Sequence, residues 1–263
     1  MDNSTTYITQ CIDNKIPVSF SKYGDGEYQC ALTANGRNCD RDTYTQKLSN
    51  GIKKSYKYMV ENAQNALIGK WPFHNDFWIS LLVDGKTPNL VDYHTIIILP
   101  KDLEDDSYLP KLQLLKSIKN SDLKKIIICN PLLVKSQSLL NIDYMINISF
   151  QNWFDNDFDS IISKVKDIFG TDSNTQFILI TCCGMGSKVI ICELYKLYPK
   201  SIFLDFGSSL DIICTKRDSR GWKVNYSVFY EKMNDFQLIS DDWNDPKYEY
   251  IYQEAKHKLG LHV

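Results

Sequence analysis

The sequence contains no apolar run approaching the roughly 20 residues that a membrane helix needs, and its opening, Met1-Asp2-Asn3-Ser4-Thr5-Thr6, is too polar for a secretory signal. A soluble cytoplasmic protein with no membrane span is expected, in the host cytoplasm if the source is a virus. Positive charge is not in excess either: 30 Lys and Arg stand against 32 Asp and Glu, a formal net charge of -2, so a globally basic nucleic-acid binder is excluded. There is no low-complexity linker, internal repeat or heptad pattern. Of the eight cysteines, the only close pair, Cys182-Cys183, is adjacent rather than spaced C-x-x-C, and supports neither a zinc knuckle nor a redox motif. Cys129, Cys182, Cys183, Cys192 and Cys214 lie in or beside apolar runs and read as buried, reduced thiols. Histidine is scarce at four residues: His74 is a candidate ligand contact, His94 a loop-edge residue, and His257 and His262 tail residues.

What is present is ample core material. With 263 residues, 43% of them hydrophobic, one large α/β domain over 1–263 is expected, its last part, 219–263, packing on the rest. Helical spacing marks 5–15, 43–65, 109–119, 158–169 and a stretch from Ser187 to about Leu197. Between these lie short apolar runs over 16–21, 66–69, 95–100, 125–131, 144–149, 177–181 and 201–205, rich in β-branched residues. Helices alternating with buried strands predict a mostly parallel, Rossmann-like sheet with helices on both faces.

Four stretches carry chemistry. Phe20-Ser21-Lys22-Tyr23-Gly24-Asp25-Gly26-Glu27 places two carboxylates one residue apart between glycines at the end of a strand-like run. Hard oxygen ligands beside free backbone N–H groups suit a divalent cation carrying a phosphate; the plain alternative is a Gly-Asp-Gly hairpin with a solvated Glu. Trp71-Pro72-Phe73-His74-Asn75-Asp76-Phe77-Trp78 combines aromatic surface with polar groups directly after another strand. Thr181 to Lys188 joins a strand to a helix, so Gly184, Gly186 and Ser187 can present amides to an anion with Lys188 one turn in; it is neither a complete G-x-G-x-x-G nor a P-loop, and close packing explains it equally. Asp205 ends the last strand ahead of Gly207-Ser208-Ser209 and Asp211. It is a candidate general base or hydroxyl ligand, or simply a helix cap. In Asn152-Trp153-Phe154-Asp155-Asn156-Asp157 the carboxylates read as helix caps, and Trp153 offers a stacking face.

Lys22-Tyr23-Gly24-Asp25-Gly26-Glu27 resembles the Arg-Phe-Gly-Asp-Gly-Glu signature of the D-type glycosyltransferases, a Rossmann-like family first met as a domain of unknown function. Softer likeness continues at the Asn152-Trp153 turn, at Cys183 to Lys188, and at Leu204-Asp205-Phe206-Gly207, which is similar to that family's Asp-x-Gly. The resemblance implies a metal-dependent transfer of sugar from a nucleotide-diphosphate sugar, a UDP-sugar by preference, to a glycan or glycoprotein. Asp25 and Glu27 would then hold Mn2+ or Mg2+ with the diphosphate; an inverting reaction needs a carboxylate to deprotonate the acceptor hydroxyl, for which Asp205 is the candidate, and a retaining reaction is the alternative. Contacts to the nucleotide sugar would come from Lys22, Tyr23, Gly24, Gly26, Trp71, His74, Gly184, Gly186, Ser187, Lys188, Gly207 and Ser208. Lysine at position 22 keeps the charge of the family's arginine and loses its bidentate fork. Two other readings fit the same residues: a Rossmann-type S-adenosylmethionine-dependent methyltransferase, and a non-catalytic glycan or nucleotide module with Trp71, Phe73 and Trp78 as its platform. Homo-oligomerisation is compatible with all three.

Overall fold

Runs such as Ile126-Ile127-Ile128-Cys129 and Ile178-Leu179-Ile180 have no polar side, so a strand built from them is stable only with both faces covered. That is how a computed structural model arranges the chain, describing residues 3–38, 42–71, 75–82, 84–150, 152–216 and 220–258. The first part runs α1 (Ser4–Asp13), β1 (Val18–Tyr23), α2 (Asp25–Thr33), α3 (Gln46–Asn62), β2 (Ala66–Lys70), α4 (Asn75–Ser80) and β3 (Leu90–Asp92). It continues through α5 (Pro100–Glu104), α6 (Leu109–Asn120), β4 (Lys124–Cys129), α7 (Ser136–Leu140), β5 (Tyr144–Asn147) and α8 (Trp153–Phe169). β6 (Phe177–Cys182), α9 (Ser187–Leu197) and β7 (Ile202–Asp205) complete the sheet, ahead of α10 (Asp211–Thr215), α11 (Tyr226–Asp235) and α12 (Pro246–Lys258).

Among the described residues seven strands form one sheet in the order β3-β2-β1-β7-β6-β4-β5, and each pairing between them is parallel. Alternate residues of the central strands divide between two apolar cores. Val18, Phe20, Ile178, Ile180, Ile202 and Leu204 pack with α1, α6, α10 and α11 on one face. Ile126, Ile128, Leu179 and Phe203 pack with α3, α8 and α9 on the other. Phe229, Trp243 and other residues of the C-terminal part fill the first core. No described helix is long and apolar enough to cross a membrane, and the seven described cysteines are free and buried.

The topology fixes where a ligand belongs. From β1 the chain moves outward to β2 and β3, whereas from β7 it turns the other way, α10 packing on the turn that follows β4. β1 and β7 are neighbours whose outgoing connections diverge. The crevice at their carboxyl ends is the switch point at which open parallel sheets bind ligands.

Several expectations need correction. β1 starts and ends two residues later than expected and is buried throughout rather than half-buried, so Lys22 and Tyr23 belong to the strand. Gly24-Asp25-Gly26-Glu27 is not a loop: Gly24 is the N-cap of α2, and Asp25 and Glu27 stand in its first turn. The run 95–100 is not a strand. Thr95 and Ile97 donate their amides back to the Asp92 and His94 carbonyls in a turn, and β3 lies just before it, over Leu90–Asp92. Ile96 and Ile97 are nevertheless buried, so their β-branched character reports burial and not ladder pairing. The expected 71–78 loop ends in α4, with Trp78 buried against Tyr23 and Tyr56 rather than offered as a platform; Phe73 and His74 lie outside the described residues. Trp153 is also core: it donates its indole N–H to the Cys183 carbonyl at 2.9 Å, and its ring lies over Gly186.

A Cβ at Gly186 would stand 2.4 Å from the Trp153 ring and 2.9 Å from Phe154. Gly186→Ala is therefore expected to cost about 1–3 kcal/mol through overpacking, read as a lower urea midpoint with an unchanged m-value.

Candidate active site

The crevice between β1 and β7 is built around one ammonium. Lys188, in the first turn of α9, reaches back to the sheet with its side chain 3% exposed. Its Nζ lies 2.6 Å from Glu27 Oε1 and 2.9 Å from Asp205 Oδ2, and it donates a longer bond of 3.4 Å to the Gly184 carbonyl. Glu27 is held from its other side as well: the Gly24 amide donates to Oε2 at 2.9 Å, the reciprocal half of a capping box. Asp205 Oδ2 also accepts the Lys22 amide at 3.0 Å. One lysine thus joins α9, α2 and β7, and Asp205 adds β1.

Lys22 is the second cation. It is buried, donates from Nζ to the Phe206 carbonyl at 2.7 Å, and lies 5.6 Å from the centroid of the Tyr93 ring. Burial, only partly offset by Asp205, lowers its pKa to about 8. At Gly207, whose φ is +54°, a Cβ would stand 2.7 Å from this ammonium, so glycine is required both by the backbone and by the lysine. For Lys188 burial acts in the same downward direction, but the charges of Asp205 and Glu27 more than reverse it and hold the ammonium firmly protonated. Burial raises the Glu27 pKa, and Lys188 together with the Gly24 amide outweighs it, so that carboxyl titrates below its ordinary range.

Two aromatic rings cover this cluster. Trp71 stacks on Tyr93 at a centroid distance of 4.8 Å, and His94 meets both edge-on. A Cβ at Gly24 would lie 2.9 Å from the Trp71 indole nitrogen and 3.2 Å from the Tyr93 ring, so only glycine allows the rings to close on the motif. Burial raises the Tyr93 hydroxyl pKa, with Glu27 and Asp205 adding to it and Lys188 and Arg220 opposing. Tyr93 is a site residue that sequence reading missed. The signal for Tyr93 was present, since an aromatic residue directly follows Leu90-Val91-Asp92, but placing the strand at 95–100 concealed it.

The expected residues separate into those brought together and those that are not. Lys22, Gly24, Glu27, Trp71, Gly184, Lys188, Asp205 and Gly207 converge. Asp25 is exposed on α2 and Gly26 is half-buried beside it, a Cβ there coming within 3.6 Å of Met185 Sδ. Tyr23, by contrast, turns into the core and meets the Ser55 hydroxyl at 3.5 Å. Gly186 is a packing position, and the buried Ser187 hydroxyl pairs with Cys183 Sγ at 3.2 Å. Ser208 is half-buried, and its carbonyl accepts from the Asp211 amide. Burial pushes the Cys183 thiol up to about 12, which removes it as a nucleophile.

No family model matches the chain, and no curated protein does. Two solved structures are similar to it. One is described as the selenomethionine-substituted structure of domain of unknown function 1792, with a TM-score of 0.49 and 11% identity over 80% of this chain and 85% of that one. The other is described as showing that the highly conserved domain of unknown function 1792 has a distinct glycosyltransferase fold, with a TM-score of 0.48 and 13% identity over 80% of this chain and 79% of that one. At such scores no residue assignment rests on them.

The divalent cation expected at Asp25 and Glu27 does not fit their arrangement. Both Glu27 oxygens are engaged, by Lys188 and by the Gly24 amide, while Asp25 stands apart in solvent. Among the described residues no three His, Cys, Asp or Glu side chains group as metal ligands. What the cluster does offer is a carboxylate oxygen without a partner: Asp205 Oδ1 is fully buried and accepts no hydrogen bond. A buried acceptor left unsatisfied by the chain is costly and calls for a partner from outside it.

Removing the lysine while leaving two buried carboxylates is the severe change here. Lys188→Met is expected to cost about 3–5 kcal/mol at neutral pH. Because Glu27 then loses the ammonium that holds its carboxyl below the ordinary range, it is protonated more readily, and the loss should shrink as pH falls through the ordinary carboxylate range. Urea denaturation of both proteins at pH 7 and near pH 4.5 measures the difference.

Proposed function

We propose that this protein is a glycosyltransferase that moves a sugar from a nucleotide-diphosphate sugar, a UDP-sugar by preference, to a hydroxyl of a glycan or glycoprotein. The observation that carries the reading is the meeting, at the switch point of a parallel sheet, of the motif residues Lys22, Gly24 and Glu27 with Asp205 and Lys188. Residues 183 positions apart in sequence share one hydrogen bond there, and the motif that resembles the D-type signature builds the wall of the crevice.

Each part has work to do in such a reaction. The diphosphate lies at the amino end of α2, where the amides of its first turn and the helix dipole favour an anion. Lys22 and Lys188 hold positive charge beneath it in a low-dielectric setting, which makes that charge effective as the leaving group gains electrons. Trp71 and Tyr93 supply an aromatic wall for the base or the sugar ring. Asp205 takes the acceptor proton on Oδ1. The acceptor oxygen bonds to the anomeric carbon, the bond from that carbon to the diphosphate breaks, and the diphosphate leaves with the electron pair.

A thermal-shift screen of nucleotide sugars and adenosylmethionine tests the proposal, with turnover then measured on Asp205→Asn. A nucleotide-diphosphate sugar is expected to raise the melting temperature, and Asp205→Asn to bind it while losing about 10²–10⁴ in turnover. Stabilisation by adenosylmethionine, with none from any nucleotide sugar, overturns the reading.

A further inference from the structure

The sequence offers Asp25 and Glu27 to one cation, and the helix divides them. Residues two apart on an α-helix stand about 200° apart around its axis, so their side chains do not face each other. Asp25 points to solvent and Glu27 is buried. The side of Glu27 that would face a metal already faces an ammonium, at 2.6 Å from Oε1. A divalent ion on that oxygen at ordinary coordination distance would lie within about 5 Å of the lysine charge, with Oε2 still bound to the Gly24 amide.

We propose that Lys188 is the resident cation of this site: its ammonium takes the place that the Asp-x-Glu pattern offers to a divalent ion. Glu27 is then a positioning residue that holds Lys188, not a metal ligand, and the donor's diphosphate binds without an ion bridging Asp25 and Glu27. The last clause rests on the glycosyltransferase reading; the assignment of Lys188 and Glu27 does not. Two observations set this apart from a merely structural ion pair. Asp205, the second partner of Lys188, keeps a fully buried oxygen with no hydrogen bond. Lys22, beside it, donates to a backbone carbonyl rather than to a carboxylate. A self-contained structural network would pair these groups with each other. Here one acceptor and one ammonium are left for something that enters the crevice.

The first test uses metal alone. Mn2+ is titrated into the full chain and into Glu27→Gln, with the free ion followed by electron paramagnetic resonance. The two curves are expected to coincide, whether the protein binds manganese elsewhere or not at all. A site of one ion per chain that weakens about tenfold or more in Glu27→Gln overturns the assignment. If Glu27→Gln does not fold, the wild-type chain still decides: acetylation of Lys188, followed by mass spectrometry, is expected to be unchanged by millimolar Mn2+, and a manganese-dependent rise in labelling overturns it. UDP binding by calorimetry in EDTA addresses the diphosphate. Binding that persists in EDTA and is lost in Lys188→Met supports the proposal, and binding that needs added Mn2+ contradicts it. Absence of UDP binding under both conditions counts against the glycosyltransferase reading and the diphosphate clause together, while the manganese and labelling results still judge Lys188.

Discussion

A buried ammonium shared by two carboxylates is the constraint on which the rest of this site depends. Charges removed from water are tolerated only when paired and hydrogen-bonded, and separation of one partner is punished heavily. Lys188 therefore cannot move without leaving Glu27 and Asp205 exposed to that cost, and neither carboxylate can move without exposing Lys188. Because Glu27 stands in the first turn of α2 and Asp205 ends β7, the pairing fixes the angle at which α2 leaves the sheet. The glycine N-cap of that helix is fixed in turn, through the amide of Gly24.

Everything around the ion pair follows from this anchoring. Gly24 has no side chain, so Trp71 and Tyr93 can close on it; Gly207 has none, so Lys22 can lean over it. The result is a small volume in which two cations and two carboxylates are held apart from bulk water beneath two half-buried aromatic rings. In such surroundings a charge that changes during a reaction is stabilised by groups already in position rather than by solvent that must reorganise. The site is also asymmetric in a useful way. Glu27 and Lys188 have their bonds satisfied, whereas Asp205 retains a free oxygen and Lys22 an ammonium whose pKa has been lowered to about 8.

Much of this was legible in the sequence because the relevant signals are local. Isoleucine-rich runs announced β4 and β6, helical spacing announced α3 and α8, and the alternation of the two announced a parallel sheet. The clustering of glycine and carboxylate at positions 24–27 marked the site without its geometry. What could not be read is pairing across long separations: nothing near Glu27 indicates that its partner is Lys188, since only the sheet order brings α9 over β1 and β7. The reading of 25 and 27 as joint ligands failed to anticipate that they begin a helix, which turns alternate residues to opposite sides. Tyr93 was lost for the opposite reason. The apolar run after it is buried in a turn, and burial in a turn and burial in a strand look alike in a sequence.

The central claim is that the carboxyl ends of β1 and β7 hold the ligand, and a crystal structure of the chain with UDP or a UDP-sugar addresses it most directly. The account predicts the diphosphate over the first turn of α2, within hydrogen-bonding reach of its amides, with the nucleoside or sugar against Trp71 and Tyr93. Density placed instead in the groove lined by Lys47, Gly51, Phe154 and Val189, where α3, α8 and α9 meet, with the β1–β7 crevice unchanged, would contradict it.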